Sequence, residues 1–257
     1  MTEPAARTVQ KAPRPALVRR FLVRVAWPFS WVLVGLATVT AAVILVPARF
    51  VTTPDRLFWV LRAWSRLLLW LLGAELVVTG EENLPLDGPA VIVANHSSHL
   101  DGPALGVALP RPIFFVAKKE LARIPVFGQA LVAVGSIIVD RGSGEKARRQ
   151  MRLALERIRN GLWVLVFAEG TRSADGRLAR FKKGGFHLAV DAGVPVVPVA
   201  IRGAREILPR GTARPRRPGQ IEIAVGEPIP VDGLARADVP ALAQRAHDAV
   251  ATLLGEG

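Results

Sequence analysis

The chain has no cysteine among its 257 residues. Disulfides, a thiolate nucleophile and Cys-ligated metals are therefore excluded. No Gly-x-Ser-x-Gly turn occurs, so the strained serine elbow of many hydrolases is missing as well. There are no internal repeats. Metal-ligand spacing is equally poor, since His96 and His99 stand three apart with no third ligand nearby. Acids are scarce: 21 Asp and Glu face 34 Lys and Arg, a formal net charge of +13. That surplus points to acidic partners, whether nucleic acid, anionic lipid or phosphorylated substrates. The heavy use of Ala and Arg is also what a GC-rich genome gives, which would make part of the charge background.

What is abundant is apolar. The hydrophobic fraction is 51% and the mean hydropathy +0.32, both high for a freely soluble protein. The length suits one catalytic domain with an appendage. Residues 1–16 read as a disordered basic tail and 17–75 as membrane-anchoring helices, leaving 76–257 for the catalytic domain. Arg19, Arg20 and Arg24 precede Trp27 to Val46, a run without charge and long enough to cross a hydrocarbon core. A secretory signal is the alternative, but the run exceeds an ordinary signal core and lacks a clear small-residue cleavage pattern. Leu57 to Val78 is apolar again, with Trp59, Trp64 and Trp70, and is interrupted by Arg62 and Arg66. Two arginines four apart share a helical face, which suits an interfacial helix; an ordinary helix packed on the domain is the other reading. Positive residues flank the first run on both sides. A helical hairpin that enters and leaves one leaflet satisfies both flanks, with both termini cytoplasmic.

The chemistry is concentrated in Gly88 to Asp101. Ala90 to Ala94 is an unbroken apolar run, the signature of a strand buried in a parallel sheet. Asn95-His96-Ser97-Ser98-His99-Leu100-Asp101 follows it directly. Polar groups at the carboxyl end of a buried strand are where open α/β sheets bind ligands. His96 and Asp101 are five apart, which on an ideal helix places them on different faces. They meet only if a loop joins the strand to a helix near Asp101. Asp101 is a good N-cap, Pro103 is tolerated in a first turn and Ala104 to Leu109 is apolar. The carboxylate then either orients one imidazole nitrogen, leaving the other as a base, or simply caps the helix.

Further strands are expected at Leu76–Thr79, Ile113–Ala117, Gly135–Val139, Leu162–Phe167, Val196–Ile201 and Ile221–Val225. Helices are expected over 145–160 (capped by Ser143), 184–192 and about 239–254. The strand ending at Phe167 delivers Glu169, Gly170, Thr171 and Arg172. Glycine permits close backbone approach and a guanidinium grips phosphate through paired hydrogen bonds. An internal Glu169–Arg172 ion pair is the simpler alternative. Lys118 and Lys119 face either an anionic substrate or solvent, and the basic loop Arg210 to Arg217 suits acidic lipid headgroups.

Four blocks now stand in order. Asn95 to Asp101 resembles the His-x4-Asp motif of glycerolipid acyltransferases, the 1-acylglycerol-3-phosphate acyltransferase family. Gly135 to Arg141, Phe167 to Ser173 and Val194 to Val199 resemble that family's second, third and fourth blocks. Ala168 stands where the third block usually has proline, and Ile138 or a neighbour where the second often has Phe. The resemblance covers about residues 80–230. It implies an α/β fold, mostly a parallel sheet flanked by helices, carrying an N-terminal membrane-associated helical hairpin. It also implies transfer of a fatty acyl group from acyl-CoA or acyl carrier protein to 1-acylglycerol 3-phosphate, giving phosphatidic acid. His96 would be the general base and Asp101 its orienting partner. Arg172 and Arg141 would hold the acceptor phosphate, with Glu169, Gly170 and Thr171 shaping that site. No cofactor or metal is implied. The partners are the thioester donor, the lysophospholipid and anionic membrane lipid rather than nucleic acid, at the cytoplasmic face of the cell membrane. Related enzymes use the same pair on glycerol 3-phosphate, other lysophospholipids, lyso-ornithine lipid or glycolipids. A non-catalytic anionic-lipid-binding module is the reading from another class, and it has no need of a His–Asp pair.

Overall fold

The computed structural model describes residues 17–139, 144–173 and 175–256. The expected basic tail, Arg141 and the Ser143 cap lie outside them. In chain order the elements are α1 (Leu17–Ala48), α2 (Pro54–Leu71), β1 (Ala74–Thr79), β2 (Ala90–Ala94), α3 (Asp101–Ala108), β3 (Ile113–Lys118), α4 (Lys119–Ala122) and α5 (Phe127–Ala133). They continue with β4 (Ile137–Val139), α6 (Gly144–Arg159), β5 (Trp163–Phe167), α7 (Gly184–Ala192), β6 (Val196–Arg202), α8 (Ala204–Ile207), β7 (Gly219–Val225) and α9 (Val239–Leu254).

The seven strands form one sheet in the order β1-β7-β6-β2-β5-β3-β4. β6, β2, β5, β3 and β4 run parallel, while β7 is antiparallel to β6 and carries β1 parallel to itself. The expected mostly parallel sheet is present. β2 sits at its centre, and every residue from Ala90 to Ala94 is fully buried. Covering both faces of a parallel sheet demands apolar residues at successive positions, which is why this run does not alternate. One face packs against α2, α3 and α8 through Leu68, Leu69, Leu105 and Ile207. The other packs against α6, α7 and α9 through Ile158, Phe186, Leu242 and Ala246.

The first two helices belong to this body. Val34 of α1 and Phe58, Leu68 and Leu69 of α2 share a core with sheet residues. Ala41 and Leu45 of α1 pack with Leu57 and Val60 of α2, with Ala133 of α5 and with Val134 just after it. The opposite side of α1 presents Phe29, Val32, Leu33, Leu36, Val39 and Val43 to the surface, and α2 adds Trp59, Leu67 and Trp70. Arg62 does not join this outer face with Arg66, as its spacing suggests. Its guanidinium donates to the Gly106 and Leu109 carbonyls at 3.1 and 2.5 Å. These are orphan acceptors at the end of α3, and a cation there also complements the helix dipole.

Three local expectations are revised. β1 begins at Ala74 rather than Leu76, so the sheet starts inside the segment assigned to the anchoring helices. The strand expected from Gly135 begins only at Ile137, because Gly135 turns at φ +84° with its N–H bonded to Val132. The short helices α4, α5 and α8 were not expected. Pro125 and Gly128 interrupt the pattern around α5, and one to two helical turns are too few for periodicity to register.

Candidate active site

The site is built where β2 and its neighbour β5 end. Their pairing runs from Ala90 opposite Trp163 to Ala94 opposite Phe167, so the two carboxyl ends leave the sheet side by side. Asn95 makes the exit from β2 possible. Its side-chain amide donates to the Ile201 carbonyl at 2.9 Å, and its Oδ1 accepts from the Ile201 N–H at 2.7 Å. A side chain thus holds the edge of β6 where the backbone of β2 has already turned away.

The loop that follows folds around one carboxylate. Asp101 Oδ2 accepts from the Ser97 and Ser98 N–H groups at 2.7 and 2.8 Å and meets His96 Nδ1 at 2.8 Å. The Asp101 side chain is completely buried. Asp101 is therefore the first residue of α3, with its carboxylate turned back onto the loop before it rather than capping the helix. Ser98 locks the loop from the other side, its hydroxyl donating to the Leu208 carbonyl at 2.8 Å and accepting from the Leu100 N–H at 3.1 Å. The His96 ring stacks on Phe167, 3.9 Å between centroids and 14° from parallel. A carboxylate that only accepts places the imidazole proton on Nδ1, leaving a lone pair on Nε2. The His96 side chain is 21% exposed, enough to reach a ligand.

The loop after β5 is fastened to the first. Glu169 is buried, and its Oε1 accepts from the His96 N–H at 2.7 Å while Oε2 accepts from the Ala179 N–H at 3.1 Å. Burial raises its pKa, with these two bonds opposing the shift. Among the described residues Glu169 makes no ion pair with Arg172; it braces backbone. Gly170 turns at φ +72°, a left-handed conformation that explains glycine there. Thr171 lies exposed beside it. Ser173 N–H then donates to the His96 carbonyl at 2.7 Å.

Arg172 is half-buried, and its Nη1 is buried without a hydrogen-bond partner. Burial, followed by the neighbouring Arg210, lowers its pKa. A bound anion would relieve both. Arg210 also fixes this loop, donating to the Arg172 carbonyl at 2.6 Å. His99 faces the same space; partial burial, then Arg172 and His96, hold it below the ordinary histidine range. His96, Asp101, Glu169, Gly170, Thr171 and Arg172 are thus gathered on two adjoining loops. The sequence reading missed Asn95, Ser98, Phe167 and Arg210 as supporting residues. Their positions at strand ends, or one loop away, were the available signal. No group of three or more His, Cys, Asp or Glu suited to a metal occurs among the described residues.

Comparison with known proteins gives the family. A family model described as Acyltransferase matches residues 75–202, from β1 through β6. A 1-acyl-sn-glycerol-3-phosphate acyltransferase of Chlamydomonas reinhardtii is 38% identical over 61% of this chain, which spans 47% of that protein's length. Human 1-acyl-sn-glycerol-3-phosphate acyltransferase alpha is 32% identical over 92% of this chain and 82% of its own. The crystal structure of the 1-acyl-sn-glycerophosphate (LPA) acyltransferase PlsC from Thermotoga maritima superimposes with a TM-score of 0.76 at 27% identity, covering 93% of this chain and 96% of the other. Matched in sequence across most of its length and in fold across nearly all of it, the chain belongs to the 1-acyl-sn-glycerol-3-phosphate acyltransferase family.

Proposed function

We propose that the protein transfers a fatty acyl group from an acyl thioester, acyl-CoA or acyl carrier protein, to the free hydroxyl of 1-acylglycerol 3-phosphate, giving phosphatidic acid. The observation that carries this reading is the His96–Asp101 pair, 2.8 Å apart, with Nε2 left free. In the proposed reaction Nε2 removes the acceptor hydroxyl proton as oxygen attacks the thioester carbonyl. The tetrahedral intermediate collapses with expulsion of the thiolate, which takes the proton back from the imidazolium. Buried Asp101 keeps Nδ1 protonated and stabilises the imidazolium between the two transfers. With no cysteine and no serine elbow, direct transfer within a ternary complex is favoured over an acyl-enzyme. Arg172 is assigned to the acceptor phosphate, supported by its unpartnered Nη1. Arg141 shares that assignment from the resemblance alone. Glu169 and Gly170 shape the site by setting the loop rather than by touching substrate.

The membrane part of the reading rests on α1 and α2. Trp31 Nε1 donates to the Ala213 carbonyl at 2.6 Å, and fourteen residues later Leu45 is buried against α2 and α5. Over that stretch, about 21 Å of helix, one side of α1 is committed to protein and the other is apolar and exposed. Such a helix suits partial immersion in one leaflet, with the active-site edge at headgroup level on the cytoplasmic side and Arg214, Arg216 and Arg217 near anionic lipid. The test is acyl transfer to 1-acylglycerol 3-phosphate by purified protein, alongside His96→Ala. Loss of the base should cost about 10²–10⁴-fold, and near-normal turnover by His96→Ala would overturn the mechanism.

A further inference from the structure

Charge is divided across the sheet. At the carboxyl edge of the parallel strands, loops 168–183 and 203–218 carry ten Arg and Lys against three acids. The loops of the opposite edge, 80–89, 109–112, 134–136, 160–162, 193–195 and 226–238, carry six acids against two basic residues. The active-site edge therefore attracts anions and the far edge repels them.

The two basic loops pack on opposite faces of the sheet and are joined where Arg205 and Arg210 donate to the Asp175 and Arg172 carbonyls at 2.7 and 2.6 Å. Loop 203–218 lies on the α1 side, tied to it by Trp31, and its Ile207 and Leu208 belong to the core shared with α2 and α3. Loop 168–183 lies on the α9 side, where Ala168, Leu178 and Phe181 pack with the other face of the sheet. There Arg180, Lys183, Gln244 and His247 line a cleft between the loop and α9, together with the buried Phe181 and Ala243. Phe181 meets the His247 ring edge-on at 5.2 Å. Asp248, beside His247, accepts from Gln244 Nε2 at 2.7 Å. Arg180 and Lys183 are exposed and make no ion pair among the described residues. The cleft is also close to the chemistry. One Glu169 carboxylate bonds both the His96 N–H and the Ala179 N–H, so those two nitrogens are within about 8 Å of each other.

We propose that this cleft binds the phosphate groups of the water-borne thioester donor. The inference rests on the acyl-transfer reading and adds to it where the donor sits. A lipid acceptor enters from the α1 and α2 side, and the donor arrives from the α9 side. Both candidate donors carry the thioester on a phosphopantetheine arm, so the shared chemistry is a phosphate one arm's length from the reacting carbonyl.

The test compares the intact protein with Arg180→Ala/Lys183→Ala, using acyl-CoA and acyl-acyl carrier protein in separate arms. The KM for donor should rise about five- to tenfold, as expected for two screened charges, while the KM for 1-acylglycerol 3-phosphate stays unmoved. A rise in only one arm identifies the donor that uses the cleft. Direct titration with CoA and with phosphopantetheinylated carrier protein gives a readout independent of turnover, and the variant should bind correspondingly less tightly. Sedimentation with anionic vesicles should be unaltered. Unchanged donor KM and binding, or donor and acceptor KM rising together with loss of vesicle binding, would overturn the proposal. An inactive wild-type protein that still binds donor through this cleft would count against acyl transfer to this acceptor, and not against the cleft.

Discussion

Replacing Asp101 by Asn tests the centre of the site, and the surroundings of that side chain set the expected size of the effect. Oδ2 meets three donors, the Ser97 and Ser98 N–H groups and His96 Nδ1, all within 2.8 Å. Oδ1 is buried and has no partner. An asparagine must keep its oxygen at the Oδ2 position, since an NH2 there would confront all three donors. Its NH2 then occupies the Oδ1 position, where two N–H groups go unsatisfied at about 1–3 kcal/mol. The loop and the Nδ1–H tautomer survive, so the variant folds with a lower Tm. What disappears is the negative charge beside the imidazolium that the proposed mechanism forms during transfer. For charge centres about 4 Å apart at an effective dielectric near 20, that interaction is about 4 kcal/mol, or roughly 10³-fold in rate.

The assay is kcat at saturating donor and acceptor for wild type, Asp101→Asn, His96→Ala and the double variant. In the proposed mechanism Asp101 acts through the imidazole, so its loss should matter little once the imidazole is gone, and the double variant should resemble His96→Ala. A single Asp101→Asn variant within threefold of wild type would refute the electrostatic argument. Losses that multiply in the double variant would show that Asp101 has a role independent of His96.

Arg172→Lys retains a charge and loses the guanidinium fork; steady-state kinetics should show the acceptor KM rising far more than the donor KM, whereas a change in Tm alone would favour a structural role. Glu169→Gln can accept only one of the two N–H bonds now made by the two carboxylate oxygens, so its Tm should fall. The burial-raised pKa of Glu169 means that folding takes up a proton between the ordinary value of 4.5 and the higher folded value. Its contribution is greatest below that window and declines as pH rises through it. The stability advantage of wild type over Glu169→Gln, followed by denaturant titration, should therefore shrink from about pH 4.5 upward, and a constant difference would reject the assigned cause. Thr53 lies exposed between α1 and α2, and the chain has no cysteine of its own. A single cysteine at Thr53 should resist an impermeant thiol reagent added outside intact cells, and labelling there would overturn the one-leaflet hairpin.

The elements most legible in the sequence were those whose patterns are enforced over many residues. β2 is buried on both faces, so its apolar run marks both ends of the strand. α7 and α9 end at Gly193 and Gly255, each left-handed, where a glycine stop is expected. The His96–Asp101 contact was legible as one of two alternatives, because a strand end followed closely by a helix start brings a five-residue interval together. The direction of the Asp101 carboxylate was not, since it depends on N–H groups that any loop sequence supplies. That Glu169 would shape the acceptor site was legible, but not its two N–H partners, because sequence shows a carboxylate's charge and not what it binds. Arg62 was misplaced for the same reason: a helical wheel records a face, whereas the acceptors it found belong to α3.

The alanine at position 168 gives the two loops their final connection. The related motif usually has proline here, which fixes φ but has no N–H to give. In this chain the Ala168 N–H donates to the Ala94 carbonyl at 3.2 Å, extending the pairing of β5 with β2 one step beyond Phe167. The Ala168 carbonyl accepts from the Lys182 N–H at 2.8 Å, tying the far end of the same loop to its start. Glu169 then reaches both His96 and Ala179, and Ser173 returns to the His96 carbonyl. The backbone on either side of His96 is therefore held by the loop after β5, through bonds that begin at Ala168. A hydrogen bond worth about 0.5–1.5 kcal/mol replaces the conformational restriction of proline. Restriction stiffens one residue, whereas this bond couples two strand ends. The orientation of His96 thus depends on β5 as directly as on the strand that carries it.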